Sequence, residues 1–437
     1  MTFAEAVAMI DSCQGRGWRL DLDRMHALLG LAELQTSVGP DSPKFLHVAG
    51  TNGKGSVTAT LQSLLTAQGH LAGGYFSPYV YRITERIQLG NREITEEDFA
   101  LAVESLLPAA RAMEKTPLEG PTEFEFKTAM GFWYWAERGA DWVALEVGLG
   151  GRLDATNVVR PRACSIVSIG WDHMAILGDT LGKIAAEKAG ILKPGVPAVV
   201  GRVDPEAEES IRRIAGEVGA PLYFLGRELQ YQTDGITFEI EIGESSFKGL
   251  KPKLKGGKQM ENAAVAVATA WLGGALADPS QIQAGLDRTR IPGRFEQRIL
   301  GSVPIILDGA HNIDSAEVLR ETLAAEGIEK VVLITNMLEG HEIEPFYRSL
   351  REGVERVVVS PIDFYRARDP HQTAESLAQL SFHAEATQDP GDALDRGLRH
   401  AEALGVPLLV TGSFYLVGEM GRRLTQKGAS EPGEATA

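Results

Sequence analysis

The sequence predicts an α/β protein with two domains. Strand and helix patterns alternate along the chain, and the alternation starts again after a Pro-Gly pair at 292–293. The length of 437 residues also exceeds the roughly 100–200 residues that one domain usually contains. Strands that alternate with helices form parallel sheets covered on both faces. We therefore expect a larger domain over 1–290, a smaller one over 291–425 and a disordered tail over 426–437.

Hydrophobic periodicity and turn residues predict the elements of the first domain. A strand over 44–49 precedes a glycine-rich turn and a helix that ends near Gln68. Further predictions are strands over 72–76, 142–147, 163–169 and 196–200, helices over 96–113, 122–138, 181–190 and 259–276, and a small antiparallel insertion over 222–250.

The second domain shows the same alternation. Strands are predicted over 303–308, 330–335, 355–359 and 407–411, and helices over 313–325, over 390–404 and from about Tyr415. The last dozen residues are polar, which is typical of a disordered terminus.

Composition excludes several classes of function. Lys and Arg total 43 against 59 Asp and Glu, a net charge of −16, which argues against nucleic acid or an anionic membrane as the main partner. The two cysteines, Cys13 and Cys164, exclude a disulfide framework. The uncharged run 263–277 is shorter than the ~20 residues of a membrane span. With no signal-peptide pattern at the start, we expect a cytoplasmic protein.

The segment G-T-N-G-K-G-S, from Gly50 to Ser56, is the strongest single motif. Glycines let the backbone wrap its N–H groups around phosphate oxygens, and the following helix N-terminus adds a favourable dipole. Lys54 can bridge terminal phosphates, and a hydroxyl can reach Mg²⁺. The usual pattern is met incompletely, because Val48 replaces its first glycine and Gly55 separates Lys54 from Ser56. The strand before the motif and the helix after it favour a phosphate loop over a glycine turn without a ligand.

Together with this loop, eight further segments resemble, in the same order, the folate branch of the Mur ligase superfamily, which contains folylpolyglutamate synthase and dihydrofolate synthase. They are S-P-Y-V-Y-R-I-T-E-R-I (77–87), T-E-F-E-F-K-T-A (122–129), E-V-G-L-G-G-R-L-D-A-T-N (146–157), the segment 169–193, M-E-N-A-A-V-A (260–266), P-G-R-F-E (292–296), L-D-G-A-H-N (307–312) and T-G-S-F-Y-L-V-G-E (411–419). Tyr79 stands where the family usually has histidine.

The resemblance implies a P-loop-type ATPase domain with a mostly parallel sheet and a smaller, Rossmann-like α/β C-terminal domain. It implies a ligase that uses ATP to join L-glutamate to the carboxylate of dihydropteroate or a reduced folate. In this reaction the carboxylate attacks the γ-phosphate to give an acyl phosphate, and the amine of glutamate then displaces phosphate. The resemblance also implies two Mg²⁺ sites, a monomer, and small molecules as the only partners.

The resemblance assigns the site residues position by position. ATP binding falls to Thr51, Asn52, Gly53, Lys54, Gly55, Ser56, Asn262, Arg294 and Asp308, metal binding to Ser56, Ser77, Glu146 and His173, and catalysis to Lys54, Lys188, His173 and His311. Pterin or folate binding falls to Leu22, Arg82, Thr122, Glu123, Phe124, Glu125, Leu153, Asp154 and Ala155, and glutamate binding to Ser413. The family's lysine that matches Lys188 is carbamylated, which turns a cation into an anionic oxygen ligand, and we expect the same here.

The residues by themselves leave some of these roles open. Glu146 ends an apolar strand at the carboxyl edge of the sheet, where α/β proteins bind ligands, and this favours a functional role. Lys188 alone would be a solvated helix lysine, and Ser77 and His173 alone fit a structural role equally well. Phe124 can stack on a flat heterocycle or belong to the core.

Two motifs of the second domain depart from the family pattern. N-M-L-E-G-H-E (336–342) stands where G-M-x-x-D-K-D is usual, and Y-R-A-R (365–368) replaces P-R-A. Both lie where glutamate or the glutamyl chain is expected to bind, which leaves amino-acid specificity open. Besides a bifunctional synthase, the sequence allows an enzyme with one of the two activities, another Mur-type ligase, or a non-catalytic nucleotide-binding paralogue. The last is disfavoured by the joint presence of Lys54, Ser77, Glu146, His173 and Lys188.

Overall fold

The computed structural model describes residues 1–14, 21–39, 43–171, 173–340 and 343–431. The chain divides into two compact units. The first contains Met1–Pro78, Thr84–Lys253 and Gln259–Arg290, and the second contains the chain from Ile291 onward together with Tyr79–Ile83 and Leu254–Lys258. Two short segments of the predicted first domain therefore belong to the second unit. For one of them the reason is hydrophobic, because Val80 is buried in a core cluster of that unit.

Within the described ranges, the first unit is built on a sheet of eight strands. They are β1 (Lys44–Ala49), β2 (Ala72–Tyr75), β3 (Ile87–Leu89), β4 (Arg92–Glu93), β5 (Trp142–Glu146), β6 (Ala163–Ile166), β7 (Ala198–Val200) and β8 (Leu222–Phe224). The order is β4-β3-β2-β5-β1-β6-β7-β8, and the pairs are parallel except those that β3 makes with β2 and β4. The carboxyl ends of β5, β1 and β6 consequently meet at one edge, the usual ligand-binding edge of such sheets.

The α-helices of this part of the chain lie before, between and after these strands. They are α1 (Phe3–Asp11), α2 (Asp23–Leu31), α3 (Lys54–Ala67), α4 (Glu96–Met113), α5 (Glu123–Glu137), α6 (Met174–Leu177), α7 (Leu181–Ala189), α8 (Pro205–Val218), α9 (Gly257–Leu272) and α10 (Ile282–Arg288). Threonine side chains cap four of these helices, α1, α4, α5 and α7. For example, Thr95 accepts from the Asp98 N–H at the start of α4, and Thr122 accepts from the Glu125 N–H at the start of α5. Such caps fix the residue at which a helix begins.

A small antiparallel sheet follows, formed by β9 (Leu229–Thr233), β10 (Phe238–Ile242) and β11 (Ser245–Leu250). It confirms the predicted insertion with one correction. Residues 222–224 were predicted to belong to it but form β8, which is parallel to β7. The reason is α8, which the sequence analysis did not identify and which provides the crossover that a parallel strand requires.

The second unit has a six-stranded sheet in its described part, with order β12-β13-β17-β14-β15-β16. Its strands are β12 (Glu296–Leu300), β13 (Val303–Leu307), β14 (Val331–Thr335), β15 (Val354–Val359), β16 (Ala384–Ala386) and β17 (Leu408–Thr411), and its helices are α11 (Ile313–Ala325), α12 (Ile343–Leu350), α13 (Pro370–Gln379), α14 (Pro390–Leu404) and α15 (Phe414–Gln426). All pairs are parallel except β12 with β13. The predicted fold class, α/β with a mostly parallel sheet and a second sheet domain, is confirmed.

The segment predicted to be a disordered tail is partly ordered. Helix α15 includes Gln426, the side chain of Lys427 forms an ion pair with Asp395, and the backbone of Ser430 pairs with that of Ile299 in β12. These contacts make residues 426–430 part of the second unit. Residues 432–437 lie outside the described residues, as do three positions of the quoted segments, Asp172, His341 and Glu342. No helix in the described part of the chain is long and apolar enough to cross a membrane.

Candidate active site

The glycine-rich loop joins β1 to α3 at the carboxyl edge of the main sheet. Gly53 has a left-handed φ of 85° and caps α3, which begins at Lys54. The chain after β6 holds the loop in place: the Thr51 N–H donates to the Ser168 carbonyl at 2.9 Å, and the Asn52 N–H donates to the Ser168 hydroxyl at 3.0 Å. A fixed loop that opens a helix presents N–H groups and a positive dipole end, which suits a phosphate.

Two lysine side chains meet at the carbonyl oxygen of Gly50. Lys54 Nζ donates to it at 3.0 Å, and Lys188 Nζ, from α7, donates at 2.9 Å. Lys188 is only 1% exposed, so it is not a solvated helix lysine. Two positive charges at one buried carbonyl repel each other, and an anionic ligand or a change of charge on one lysine relieves that repulsion.

Asn262, on α9, lies beside the same loop. A Cβ added at Gly53 would be 2.8 Å from its Oδ1 and 2.9 Å from Cγ1 of Val167. Glycine is therefore required at 53 both for its backbone conformation and for space. The structure thus brings together the predicted ATP-binding residues of the first unit, Thr51, Asn52, Gly53, Lys54 and Asn262, with Gly55 and Ser56 on the first turn of α3.

Glu146 is the last residue of β5, and its side chain is buried. Its Oε2 accepts a hydrogen bond from the Ser77 N–H at 3.0 Å, so two predicted metal ligands are neighbours. The β1–β5 register pairs Glu146 with Val48, which places the carboxylate at the edge from which the glycine loop leaves the sheet. A buried carboxylate beside a phosphate loop is a donor set that fits Mg²⁺, which often takes only one or two carboxylates besides phosphate and water oxygens. Across the described residues, no group of three His, Cys, Asp or Glu side chains could hold a metal ion by itself.

A cavity of about 480 Å³ lies in the first unit, a volume typical of small-molecule sites. Its walls are formed by Asp21, Ser77, Pro78, Arg86, Thr122, Phe124, Glu125, the segment 148–155, His173, Ile176, Leu177 and Glu187. The predicted pterin-binding residues Thr122, Phe124, Glu125, Leu153, Asp154 and Ala155 are therefore brought together. Of the others, Leu22 and Glu123 are not lining residues, and Arg82 belongs to the second unit.

Three of these predicted residues also have structural partners at the start of α5. The Thr122 N–H donates to Glu125 Oε2 at 2.7 Å, and the Glu125 N–H donates to Thr122 Oγ1 at 3.2 Å. This reciprocal pair is a capping box, which satisfies two N–H groups at the helix start. Glu123 forms an ion pair with Lys127. Their residue types are therefore explained in part by the helix alone.

Phe124 is a wall of the cavity and not a core residue. Its ring is partly exposed, whereas Phe126 and Phe132 on the same helix are fully buried. The guanidinium of Arg86 lies 5.6 Å from the Phe124 ring centroid, on which it can make a cation–π contact. The geometry places Phe124 where a flat ligand could stack on it.

Asp154 provides a buried acceptor at the same wall. Its Oδ1 accepts from the Thr156 N–H at 3.0 Å and from the Thr156 hydroxyl at 2.5 Å, and its Oδ2 accepts from the Leu149 N–H at 2.9 Å. Burial raises the pKa of Asp154, and these hydrogen bonds oppose the rise because they favour the ionised carboxylate. Such a carboxylate suits a ligand that presents N–H donors.

Arg86 and Asp21 line the cavity although the sequence analysis did not select them. Arg86 is in the same S-P-Y-V-Y-R-I-T-E-R-I segment as Arg82, and Asp21 precedes Leu22. The signal was therefore present in the motif, but the motif does not show which arginine faces the cavity. The structure does, because Arg82 lies in the segment Tyr79–Ile83 of the second unit and Arg86 lies after the chain has returned to the first.

In the second unit, predicted residues gather around Phe414, where β13 and β17 end side by side. The Arg294 guanidinium lies 4.4 Å from the Phe414 ring centroid, and the His311 ring centroid lies 5.8 Å from it. Ser413 is the N-cap of α15, and its hydroxyl accepts from the Tyr415 N–H at 3.2 Å.

Asp308, directly after β13, is held by backbone donors. Its Oδ2 accepts from the Phe295 N–H at 2.8 Å, and its Oδ1 accepts from the Ala310 N–H at 2.9 Å. Burial raises the pKa of Asp308, while the positive charge of Arg294 acts in the opposite direction. Four predicted residues of this unit, Arg294, Asp308, His311 and Ser413, therefore lie at one edge of its sheet.

The two motifs that depart from the family pattern contact each other. The Glu339 N–H donates to the Arg366 carbonyl at 2.8 Å, and Arg366 Nη2 donates back to the Glu339 carbonyl at 2.7 Å. Asn336 Nδ2 donates to the Arg368 carbonyl at 3.0 Å. The segments 336–340 and 365–368 thus form one locally ordered structure.

Two protein-family models match the chain. The Mur ligase middle domain matches residues 48–270, and the C-terminal domain of dihydrofolate synthetase matches residues 294–424. The glycine loop, Glu146 and the described cavity residues from Ser77 onward lie in the first match, and the residues around Phe414 lie in the second.

Proteins of known function and solved structure are similar over nearly the whole chain. The dihydrofolate synthase/folylpolyglutamate synthase of Bacillus subtilis is 33% identical over 428 residues, which cover 94% of this chain and 98% of the relative. The Escherichia coli enzyme of the same name is 31% identical over 414 residues, 92% of this chain and 94% of the relative. The structure of E. coli FolC in complex with DHPP and ADP has a TM-score of 0.86, 30% identity and 98% coverage of both chains. The bifunctional enzyme of Yersinia pestis, complexed with AMPPNP and Mn ion, has a TM-score of 0.84 and 30% identity, covering 97% of this chain and 98% of that one.

Proposed function

The chain belongs to the dihydrofolate synthase/folylpolyglutamate synthase family of Mur-type ligases, and from this premise we propose that it joins L-glutamate to the carboxylate of dihydropteroate and of reduced folates at the expense of ATP. One observation carries the proposal for this chain. A phosphate loop with two lysines on one carbonyl, a buried carboxylate and a small-molecule cavity occur in the same unit.

The phosphate end of the site supplies positive charge where the reaction needs it. A carboxylate must approach the anionic γ-phosphate, so neutralisation of charge lowers the barrier. Lys54 and the N–H groups at the start of α3 would hold the triphosphate, and Asn262 borders the loop. The acyl phosphate that results is attacked by the amine of glutamate, with phosphate as the leaving group.

Divalent metal ions fit this arrangement. Ser56, Ser77 and Glu146 would hold one Mg²⁺, and His173 would contribute to a second. When bound, Mg²⁺ neutralises phosphate oxygens and orients them. The hydrogen bond from the Ser77 N–H to Glu146 would hold the carboxylate before any ion arrives, which reduces the reorganisation that binding requires.

We further propose that Lys188 is carbamylated in the active enzyme. Its neutral amine would add CO₂ and release a proton, which replaces a cation by an anion. The burial of Lys188 and its shared carbonyl partner with Lys54 support this, since two cations at that point repel each other.

The cavity is proposed as the site of the pteridine ring. Phe124 would stack on the ring, and Asp154 would accept from paired N–H donors at its edge. In the second unit, Arg294 and Asp308 would bind nucleotide, His311 would act near the phosphates, and Ser413 would bind glutamate. Their convergence on Phe414 supports one shared site in that unit.

The test is phosphate release that depends on Mg²⁺, ATP and L-glutamate, measured separately with dihydropteroate and with tetrahydrofolate. Turnover with both establishes the bifunctional synthase, and turnover with one assigns a single activity. Binding of ATP without turnover of either would contradict the proposal and favour the nucleotide-binding paralogue.

Lys188→Ala, compared with Lys183→Ala, tests the carbamate. Lys183 is on the same helix but is exposed and paired with Asp179, so its removal should leave turnover unchanged. Lys188→Ala should lower kcat by at least about 100-fold, as loss of a group that acts on transition-state charge does. Carbon-13 NMR of enzyme equilibrated with labelled bicarbonate should show a carbamate signal that Lys188→Ala loses. A wild-type enzyme that is active without this signal would refute the modification.

We also infer that the enzyme works as a monomer in the cytoplasm. A sedimentation coefficient that increases with protein concentration would contradict the monomer.

A further inference from the structure

His47 is a buried titratable residue to which the proposed chemistry gives no role. It lies in β1, the central strand, paired with Leu145 on β5 and Cys164 on β6, and its side chain is fully buried. The neighbouring positions of β1 are apolar, as expected for a parallel strand covered on both faces. Burying an imidazole costs free energy unless it forms hydrogen bonds. An aliphatic residue would be cheaper here, so the histidine requires an explanation.

The partner of His47 is the hydroxyl that supports Asp154. His47 Nε2 lies 2.9 Å from Thr156 Oγ1, and Thr156 Oγ1 lies 2.5 Å from Asp154 Oδ1. A hydroxyl has one proton, and in the structure it points to Asp154 Oδ1, which also accepts from the Thr156 N–H. The Thr156 hydroxyl therefore donates to Asp154, and His47 Nε2–H donates to the hydroxyl.

The rest of the imidazole agrees with this direction. Burial, with a smaller contribution from the charge of Lys193, lowers the pKa of His47 to about 3, so the ring is neutral and carries one proton. With that proton on Nε2, Nδ1 is a bare acceptor, and among the described residues Nδ1 has no hydrogen-bond partner. The proton thus sits on the nitrogen that has an acceptor.

The network leaves the hydroxyl of Thr156 with a single orientation. Without a donor at His47, the Thr156 oxygen would lose the partner that holds it opposite Asp154, and its hydrogen bond to the carboxylate would be weakened. The carboxylate is held at the cavity wall by this hydroxyl and by the N–H groups of Thr156 and Leu149. A ligand with two adjacent N–H donors needs the carboxylate in one fixed plane.

We propose that His47 is a positioning residue for the heterocycle, which acts through Thr156 to hold the Asp154 carboxylate in its binding orientation. This role rests on the proposed function, since it requires that the cavity receives the pteridine ring. It adds a residue from the sheet interior to the determinants of substrate specificity.

Two substitutions at His47 and one in the neighbouring strand test the role. His47→Leu removes the donor with little change of volume, and His47→Gln retains an N–H donor near the position of Nε2. Cys164→Ala is the matched control, because Cys164 is equally buried and opposite His47 in the register but bonds to the Ile191 carbonyl. The measurements are KM for dihydropteroate, KM for ATP, and the equilibrium Kd of dihydropteroate from its fluorescence.

His47→Leu should raise KM and Kd for dihydropteroate about tenfold, the effect of weakening one hydrogen bond to a charged group. KM for ATP should stay at the wild-type value. His47→Gln should restore dihydropteroate binding to within about twofold of wild type, and Cys164→Ala should leave it unchanged. A purely structural role of His47 would instead change both KM values, and His47→Gln would not restore dihydropteroate binding selectively.

Unchanged dihydropteroate binding in folded His47→Leu would overturn the role of His47. If that variant fails to fold, Thr156→Val breaks the same link from the other side, and unchanged binding there would overturn it equally. A wild-type enzyme that neither binds nor turns over dihydropteroate, while it binds ATP, would instead overturn the proposed function and the inference with it.

Discussion

Gly148 is the position at which one methyl group tests the cavity most directly. It follows β5, and an added Cβ would lie 2.3 Å from Cζ of Phe124 and 3.1 Å from Oδ2 of Asp154. Real Cβ atoms essentially never approach a neighbour closer than 3.0 Å, so Gly148→Ala forces the Phe124 ring to move. The ring is partly exposed, and its open side is the cavity.

Forcing a methyl group into a packed contact costs about 1–3 kcal/mol, which corresponds to roughly 5- to 150-fold in an equilibrium constant. The ring can swing into the cavity, so the cost should fall on ligand binding more than on folding. We expect KM for dihydropteroate to rise about tenfold in the phosphate-release assay, with KM for ATP unchanged. Gly216→Ala on α8 is the control, since nothing lies within 4 Å of its added Cβ and both KM values should stay constant. An unchanged KM for dihydropteroate in Gly148→Ala would refute the assignment of Phe124 to the pteridine site.

Three further predictions concern the loop and the buried side chains around it. Gly53→Ala should raise KM for ATP at least about tenfold, because residue 53 has a positive φ and the added Cβ would lie 2.8 Å from Oδ1 of Asn262. The equilibrium binding of dihydropteroate should not change. Burial raises the pKa of Cys164 to about 12, so the folded protein should leave this thiol unlabelled by a thiol reagent until urea unfolds it, and rapid labelling would show that β6 opens. Burial lowers the pKa of His47 from 6.5 to about 3, so between these pH values the unfolded chain binds a proton that the folded chain does not. The free energy of unfolding therefore decreases as the pH falls below 6.5, by up to about 1.4 kcal/mol for each pH unit. Urea unfolding should show that the free energy of unfolding decreases less between pH 7 and pH 5 for His47→Gln than for wild type. Equal decreases would contradict the conclusion that His47 is buried in its neutral form.

The fold was predictable where local signals agree with tertiary structure. The helices over Glu96–Met113 and Ile313–Ala325 match their predicted bounds because capping residues and apolar periodicity mark the same ends. Strand β12 was missed because Glu296–Leu300 shows no clear alternation and pairs only with one neighbour, at the sheet edge. Its partner on the open side, the backbone at Ser430, comes from the end of the chain, and no local pattern reveals such a contact.

The site was predictable to the extent that one chain segment carries it. The glycine loop, Glu146 and the turn that contains Asp154 are short motifs whose chemistry follows from their own residues. Arg86 was not distinguished from Arg82, because the chain returns from the second unit to the first between them and a sequence does not mark that passage. His47 was missed for a related reason, since its partner Thr156 is distant in the chain and reaches it only through the register of the sheet.

The two segments of the second unit that depart from the family pattern contact each other. The segments 336–340 and 365–368 differ from the family pattern at the same time. In the structure two backbone hydrogen bonds, which do not depend on side-chain type, join them: the Glu339 N–H donates to the Arg366 carbonyl, and the Arg368 N–H donates to the Met337 carbonyl. Asn336 is fully buried and spans both segments, with its Nδ2 on the Arg368 carbonyl and its Oδ1 on the Met337 N–H. A buried side chain with both its donor and its acceptor satisfied is a structural solution in its own right. The departures therefore form an ordered local structure of their own, and what they change is the set of charged side chains in these two segments.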